Sequence, residues 1–357
     1  KTMSNTTSDP QSEVIAPSTD QPDPPTGLKH VLDAIPDHCH QRSLARGLGL
    51  VGRDLAVYGL AVWGLASTDQ PWLLVPLWFL SALAVSALFV AGHDAAHQAL
   101  FDSKWLNSVV ARLTMLPSLH AAEVWVFGHN RVHHGHTLRQ GMDFVWHPLT
   151  VDEYRKMGRT ARLRHRFEWG PLGAGAYYLR VVWWNKMVRF TPPQRWSRPM
   201  RRDQAIVTLF AVATLAGALA LNGAGGIWTW IKVIVIPFLL FTHVIGWVVY
   251  VHHIHPEIRW WPRREWNRYR GQVEGTTILK GPPGWDLFFH WIMVHIPHHV
   301  DMTIPCYRLP EAAQAIAAAF PDEVTERPIR ARDYLASVRA CKLHDFDTGI
   351  WHQYPTD

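Results

Sequence analysis

Four stretches of this chain are apolar for about the length a helix needs to cross a bilayer: Leu48–Ser67, Trp72–Gly92, Ala205–Leu221 and Ile227–Val251. Spanning ~30 Å of hydrocarbon takes roughly 20 helical residues. Inside lipid every backbone amide must be bonded within its own segment, so such runs are read as helices. A length of 357 residues would by itself allow two soluble domains, but the gathering of apolar residues into runs decides against that. The links Thr68–Pro71 and Asn222–Gly226 are short, which pairs the runs into two helical hairpins. The first run is the weakest of the set, with several glycines and Arg53–Asp54 near its start.

Charge then orients the hairpins. Neither link contains Lys or Arg, whereas the segments at the other end carry Arg42, Arg46, Lys156 and a series of arginines from Arg159 to Arg202. Under the positive-inside rule both termini, the long middle segment and the C-terminal segment are cytoplasmic, as in a bacterial inner-membrane protein. The net charge of +6 is thereby assigned to a membrane face, and nucleic acid is not expected as a partner. The N-terminal residues are polar, with no basic stretch leading into an apolar core, so no cleavable signal peptide is expected.

The expected architecture is all-α and integral to the membrane: four transmembrane helices in two hairpins, with a cytoplasmic helical cap. Residues 1–40, rich in Pro, Ser, Thr and Asp, are expected to be a disordered cytoplasmic tail. The first hairpin occupies 41–104. Interfacial helices and a cytoplasmic segment follow over 105–202, where Trp105–Phe127 and Tyr177–Phe190 are apolar but interrupted by charges. The second hairpin covers 203–255, and the cap 256–357, including a helix at Pro310–Phe320.

Chemistry is concentrated in three histidine clusters: His93 and His97; His129, His133 and His134; His295, His298 and His299. Spacings of three or four residues put imidazoles on one face of a helix. The second and fourth runs deliver His93/His97 and His252/His253/His255 to the same membrane side as the other two clusters. Cys39, Cys306 and Cys341 form no CxxC pair, so sulfur-ligated iron and a disulfide framework are both excluded. An all-imidazole donor set suits a late divalent transition metal. One tetrahedral zinc would leave most of these histidines idle; two irons would use all eight and call for a ninth. His253 is the first candidate for it, with His252 and His255 as rivals. By spacing, His129 and His133 would serve one metal and His134 the other.

The clusters, their order and the hairpins resemble those of the integral-membrane fatty acid desaturase superfamily, over roughly Leu48 to Ala319. Gly141–Asp143, Trp146–Thr150 and Glu153–Tyr154 are similar to the segment after the second box of bacterial acyl desaturases. His253–Pro256 is similar to the family's fourth His-containing segment, and His290, Ile304–Tyr307 and Glu311–Ala312 to its C-terminal signature. The resemblance implies a di-iron centre at the cytoplasmic face, O2-dependent attack on an unactivated C–H bond of a fatty acid or acyl lipid, and an external electron donor. That donor would be a ferredoxin, rubredoxin or cytochrome with its reductase, docked on arginines of the middle segment unless these face anionic lipid. The second box has three residues between its first two histidines, closer to alkane hydroxylases than to many acyl desaturases. Desaturation is the leading outcome; decarboxylation to a terminal alkene and hydroxylation remain open.

Beside the boxes, Asp94 is expected either to accept a hydrogen bond from a ligand imidazole or to be a solvated helix-end charge. Asp143 has the same pair of readings. His136 and His290 are expected to support ligands rather than bind metal. Trp125, Trp247 and Trp285 are candidates for an acyl tunnel or for the interfacial belt. A metal transporter would instead need ligands at mid-membrane, where only His243 lies, and a bis-His haem protein would need facing histidines inside the bundle. A zinc protease would leave six box histidines unexplained.

Overall fold

In the computed structural model, residues 27–356 are described. Of the expected N-terminal tail, 1–26 lie outside the described residues. The remainder differs from expectation: α1 (Leu28–Asp33) and a 3-10 turn at Asp37–His40 are ordered, with Val31 and Cys39 fully buried in the main core. Val31, Ile35 and Cys39 give this polar stretch an apolar face, so it packs as structure.

Two long helices follow, α2 (Leu44–Ser67) and α3 (Pro71–Ala96). Ser43 caps α2 by accepting from the Arg46 amide at 3.3 Å, and Pro71 opens α3 at the position where its missing N–H costs nothing. Next come α4 (Lys104–Met115) and α5 (Ala122–Val126), which continues as a π-helical segment, Phe127–His133. Thr150 and Glu153 form a reciprocal cap on α6 (Val151–Lys156). Then follow α7 (Arg159–Glu168) and α8 (Ala174–Tyr177), the latter extended by a second π segment, Tyr178–Val188.

A third apolar stretch, Gln194–His253, is 60 residues long, about three times a single crossing. It contains α9 (Ser197–Asn222), α10 (Gly226–Trp230), a π segment (Ile231–Val235) and α11 (Ile236–His253). The chain reverses between α9 and α10. Gly223 adopts φ +53, and a Cβ on Gly226 would lie 2.3 Å from the Ala218 carbonyl oxygen, so only glycine permits this approach. Further along, Trp230 Nε1 donates to Thr214 Oγ1 at 3.1 Å. Among the described residues, three stretches are thus long and apolar enough to cross a membrane. Large apolar side chains on them, among them Trp63, Trp72, Phe79 and Leu209, stand exposed and need lipid cover.

The α2–α3 link and the start of the α10–α11 stretch meet. Buried Lys232 donates to Thr68 O and Asp69 Oδ1, both at 2.8 Å, and Trp228 Nε1 also reaches Asp69 at 2.8 Å. From that end α3 and α11 run side by side in the same direction, so their histidine-bearing C-termini arrive together. At the opposite end, Arg112 of α4 bonds Glu123 of α5 (2.6 Å) and buried Asp203 of α9 (3.1 Å), which fixes the segment leading into the second box.

The remaining chain caps that end. It comprises a π turn (Arg270–Glu274), α12 (Asp286–Phe289), α13 (His295–Val300), α14 (Leu309–Ala319) and α15 (Ala331–Ala340). Strand content is small: β1 (Ile278–Lys280) pairs in parallel with β2 (Glu326–Pro328), and β3 (Leu343–His344) antiparallel with β4 (Trp351–His352).

Candidate metal centre

All the histidines of the three boxes converge, joined by His253. They fall into two adjoining groups: His93, His97, His129, His134 and His298 in one, and His133, His253 and His299 in the other. His295 joins the second group, its Nε2 lying 3.0 Å from His299 Nε2. The groups touch where the His134 and His299 rings stack with centroids 4.3 Å apart.

The division within the second box is the reverse of the spacing argument. His129 and His134 share a group, with Nε2 atoms 3.1 Å apart, while His133 belongs to the other. The cause is local. The backbone here is π-helical, and the His134 amide bonds the His129 carbonyl at 2.9 Å, an i to i+5 closure that brings residues five apart onto one face. A three-residue gap between the first two histidines is therefore not read on an α-helical wheel.

The second group is held in orientation. His133 Nδ1 donates to both oxygens of Asp143 at 3.1 Å, His253 Nδ1 to Gly275 O at 2.9 Å, His295 Nδ1 to Ile292 O at 3.0 Å and His299 Nδ1 to Gln272 Oε1 at 2.7 Å. Each bond fixes a tautomer that leaves Nε2 free as a ligand atom. In the first group, both nitrogens of His97 and His298 and the Nδ1 atoms of His93 and His134 are buried without a partner. Buried polar atoms are rarely left so, and gathered imidazole nitrogens without partners fit metal ions.

Electrostatics agree. Burial first, and then neighbouring imidazoles, hold His97, His129, His134, His295, His298 and His299 well below the ordinary value of 6.5. They are neutral at physiological pH, the form a metal requires. For Asp143, burial alone would raise the carboxyl. His133 and bonds from the Leu138 and Val145 amides outweigh it and keep the group ionised.

Asp143 accepts from the His133 ring rather than facing solvent, while three other residues sit elsewhere than expected. Asp94 is buried and accepts from the Cys306 amide at 2.9 Å. It is neither a partner of an imidazole nor solvated, and instead ties the first box to the loop after the third. His290 bonds Asp54 of α2 at 2.6 Å, because His290 (φ +43) and Trp291 (φ +58) adopt successive left-handed conformations that turn the ring away from the boxes. His136 bonds Arg139 at 3.2 Å and lies against Trp266, outside both groups. Of the rivals of His253, His252 stacks behind His295 with centroids 3.8 Å apart, and His255 faces Glu257. Gln272 bonds both His299 Nδ1 and the His134 carbonyl, Thr137 donates to the His133 carbonyl, and Gly275 O accepts from His253, contacts that no sequence spacing marks.

A pocket lies against the cluster. Its wall includes His93, His129, His133, His253 and His295, and is otherwise mostly apolar, with Phe89, Ile245, Val248 and Val249 prominent. Trp125 lines it and stacks on His129 at 4.1 Å, whereas Trp247 and Trp285 line other cavities. The hydroxyl of Tyr178 in this wall is already bonded to His120 at 3.0 Å. The pocket suits a hydrocarbon chain laid beside metal-binding groups.

Residues 70–330 match the sequence profile described as Fatty acid desaturase. The chain belongs to the fatty acid desaturase family. It is therefore an oxidoreductase of that superfamily and a membrane-associated protein. It is 28% identical to the sn-1 oleoyl-lipid 12-desaturase of Anabaena variabilis, over 91% of this chain and 92% of that one. Identity to the chloroplastic omega-6 fatty acid desaturase of Arabidopsis thaliana is 30%, over 81% of this chain and 63% of the plant protein. With the sn-1 acyl-lipid omega-3 desaturase (ferredoxin) of Synechocystis it is 27%, over 98% and 97%.

Proposed function

We propose that this desaturase-family protein introduces a carbon–carbon double bond into the acyl chain of a membrane lipid, using O2 and two irons held by the histidine groups. The observation that carries this reading is the apolar pocket whose wall contains histidines of both groups. Such a pocket would hold methylene carbons, with no polar function of their own, beside the metals that the histidines would bind. The names of the relatives, acyl-lipid and fatty acid desaturases, favour desaturation over decarboxylation or hydroxylation.

The metals are read as iron because two adjoining, nearly all-imidazole groups exceed what zinc uses. His93, His97, His129, His134 and His298 would hold one, and His133, His253, His295 and His299 the other. Iron bound there would supply O2 activation and hydrogen removal from an unactivated C–H bond. The protein residues do the rest. Phe89, Ile245, Val248 and Val249 exclude water and align the chain, while Asp143, Gln272 and Gly275 O keep the imidazoles aimed. Overall, –CH2–CH2– with O2, two electrons and two protons becomes –CH=CH– with two waters, and a ferredoxin-type carrier supplies the electrons.

Four membrane crossings in two hairpins are part of this proposal. The 60-residue stretch contributes two of them, with the Lys232–Asp69 contact on the outer side. Both termini and the histidine cluster are then cytoplasmic in a bacterial inner membrane, where a soluble donor has access. The test is anaerobic iron reconstitution, chemical reduction, and admission of O2 with an oleoyl lipid. Mass spectrometry then separates an added double bond, which supports desaturation, from a hydroxylated chain or an alkene one carbon shorter, either of which contradicts it.

A further inference from the structure

Residues 259–270 read Arg-Trp-Trp-Pro-Arg-Arg-Glu-Trp-Asn-Arg-Tyr-Arg, with five arginines against a single carboxylate. The segment lies beyond the end of α11, and none of it lines the acyl pocket. It is pinned to the chain after the second box: the Trp261 amide donates to Leu138 O, and the Gln140 amide to Trp261 O, both at 3.0 Å. Arg264 fastens its other side to Asp347 at 2.8 Å.

Half-buried Trp266 sits where these elements meet. Its Nε1 donates to Thr137 O at 2.8 Å, with Arg139 5.4 Å from the ring centroid. Thr137 Oγ1 in turn lies 3.3 Å from Nδ1 of His299, a member of the second histidine group. One residue therefore separates an indole at the surface from an imidazole of the metal centre. Around that indole, Arg263, Arg264 and Arg268 are exposed.

We infer that this face, centred on Trp266 and rimmed by Arg139, Arg263 and Arg268, docks an acidic one-electron carrier protein and passes its electron by way of Thr137 to the second histidine group. The inference rests on the desaturase reading and adds the place of contact. Reduced donor gives up one electron per encounter and leaves oxidised; two encounters supply the two electrons for each double bond. Two features favour a protein over the bilayer as occupant. Trp260 and Trp261 point inward, at 0% and 9% exposure, and no large apolar side chain between Leu239 and Leu287 is among the exposed ones, so the face lacks the apolar anchors of an interfacial segment. Its positive charge also complements an acidic partner and steers association at low salt.

The experiment measures binding of an acidic plant-type [2Fe–2S] ferredoxin to the full chain in nanodiscs of neutral lipid, across ionic strength. The double variant Arg263→Glu/Arg268→Glu is expected to weaken Kd at least tenfold at low salt and to flatten the salt dependence. The equally exposed pair Arg155→Glu/Arg159→Glu on α6 and α7 is expected to leave Kd unchanged. Trp266→Phe keeps the aromatic face but loses the bond to Thr137 O, so it should preserve Kd while slowing oxidation of pre-reduced ferredoxin at least tenfold. An unchanged Kd in Arg263→Glu/Arg268→Glu, a loss confined to Arg155→Glu/Arg159→Glu, or binding that appears only with anionic lipid overturns the assignment. Failure of the desaturase reading itself shows separately, as absence of product when the wild type is reduced chemically and given O2.

Discussion

Asp143→Asn tests how the second histidine group is kept in order. In the wild type each carboxylate oxygen lies 3.1 Å from His133 Nδ1, and each also accepts a backbone amide at 3.0 Å, Val145 on one side and Leu138 on the other. An asparagine supplies one oxygen and one NH2, so one backbone N–H must face a donor. A charge-assisted bond to a buried group contributes about 1.5–3 kcal/mol and a neutral one about 0.5–1.5. The charge removed from behind His133 is therefore worth about 1–1.5 kcal/mol, or roughly tenfold in metal affinity, the low end of what such supporting groups confer. The unsatisfied amide adds about 1–3 kcal/mol against the fold. Iron per chain is then measured after graded exposure to a chelator. The variant should lose iron at about tenfold lower chelator concentration, with the affected fraction near one of two irons, because His93, His97, His129, His134 and His298 do not contact Asp143. Two irons held as firmly as in the wild type would refute the orienting role.

Three further outcomes follow from the same geometry. His133→Ala and His134→Ala, although adjacent in sequence, should empty different metal positions, with distinct Mössbauer signatures of the remaining iron; identical spectra would contradict the π-helical division. His290→Ala removes the buried hydrogen bond to Asp54, which keeps Arg53 beside it, and should cost about 1–3 kcal/mol, read as a lowered apparent Tm, whereas an unchanged Tm would mean the bond is dispensable. For the metal-free protein, His97, His129, His134, His295, His298 and His299 stay neutral in the fold below their ordinary 6.5, while the unfolded chain takes up protons. Stability should therefore fall as pH drops from about 7 to 5, by up to roughly 1.4 kcal/mol per pH unit for each such residue; a flat profile would contradict their burial as neutral groups.

The apolar runs and the histidine boxes were legible because both are periodic signals. Length and hydropathy mark the helices, and i, i+3 or i+4 spacing marks ligands on α-helical faces. What escaped depends on departures from that regularity. Phe127–His133 is π-helical, so His133 and His134 exchange the partners that α-helical spacing assigns. Asp94 reaches Cys306, 212 residues away in sequence, and the left-handed pair His290–Trp291 sends an expected supporting ring to Asp54. Gln272 and Thr137 belong to polar stretches without pattern, and only folding reveals that they touch His299. Lys232, inside an apolar run, showed its partner only once Asp69 of the other link came beside it.

That the two histidine groups hold iron and act on a hydrocarbon chain is tested most directly by metal content joined to single-turnover product analysis on one sample. The protein is reconstituted anaerobically with iron in competition with zinc, reduced, and given O2 with an oleoyl lipid. The expected result is about two irons per chain and a product lighter by two hydrogens, its new double bond inside the acyl chain. One zinc per chain with unchanged lipid would contradict it.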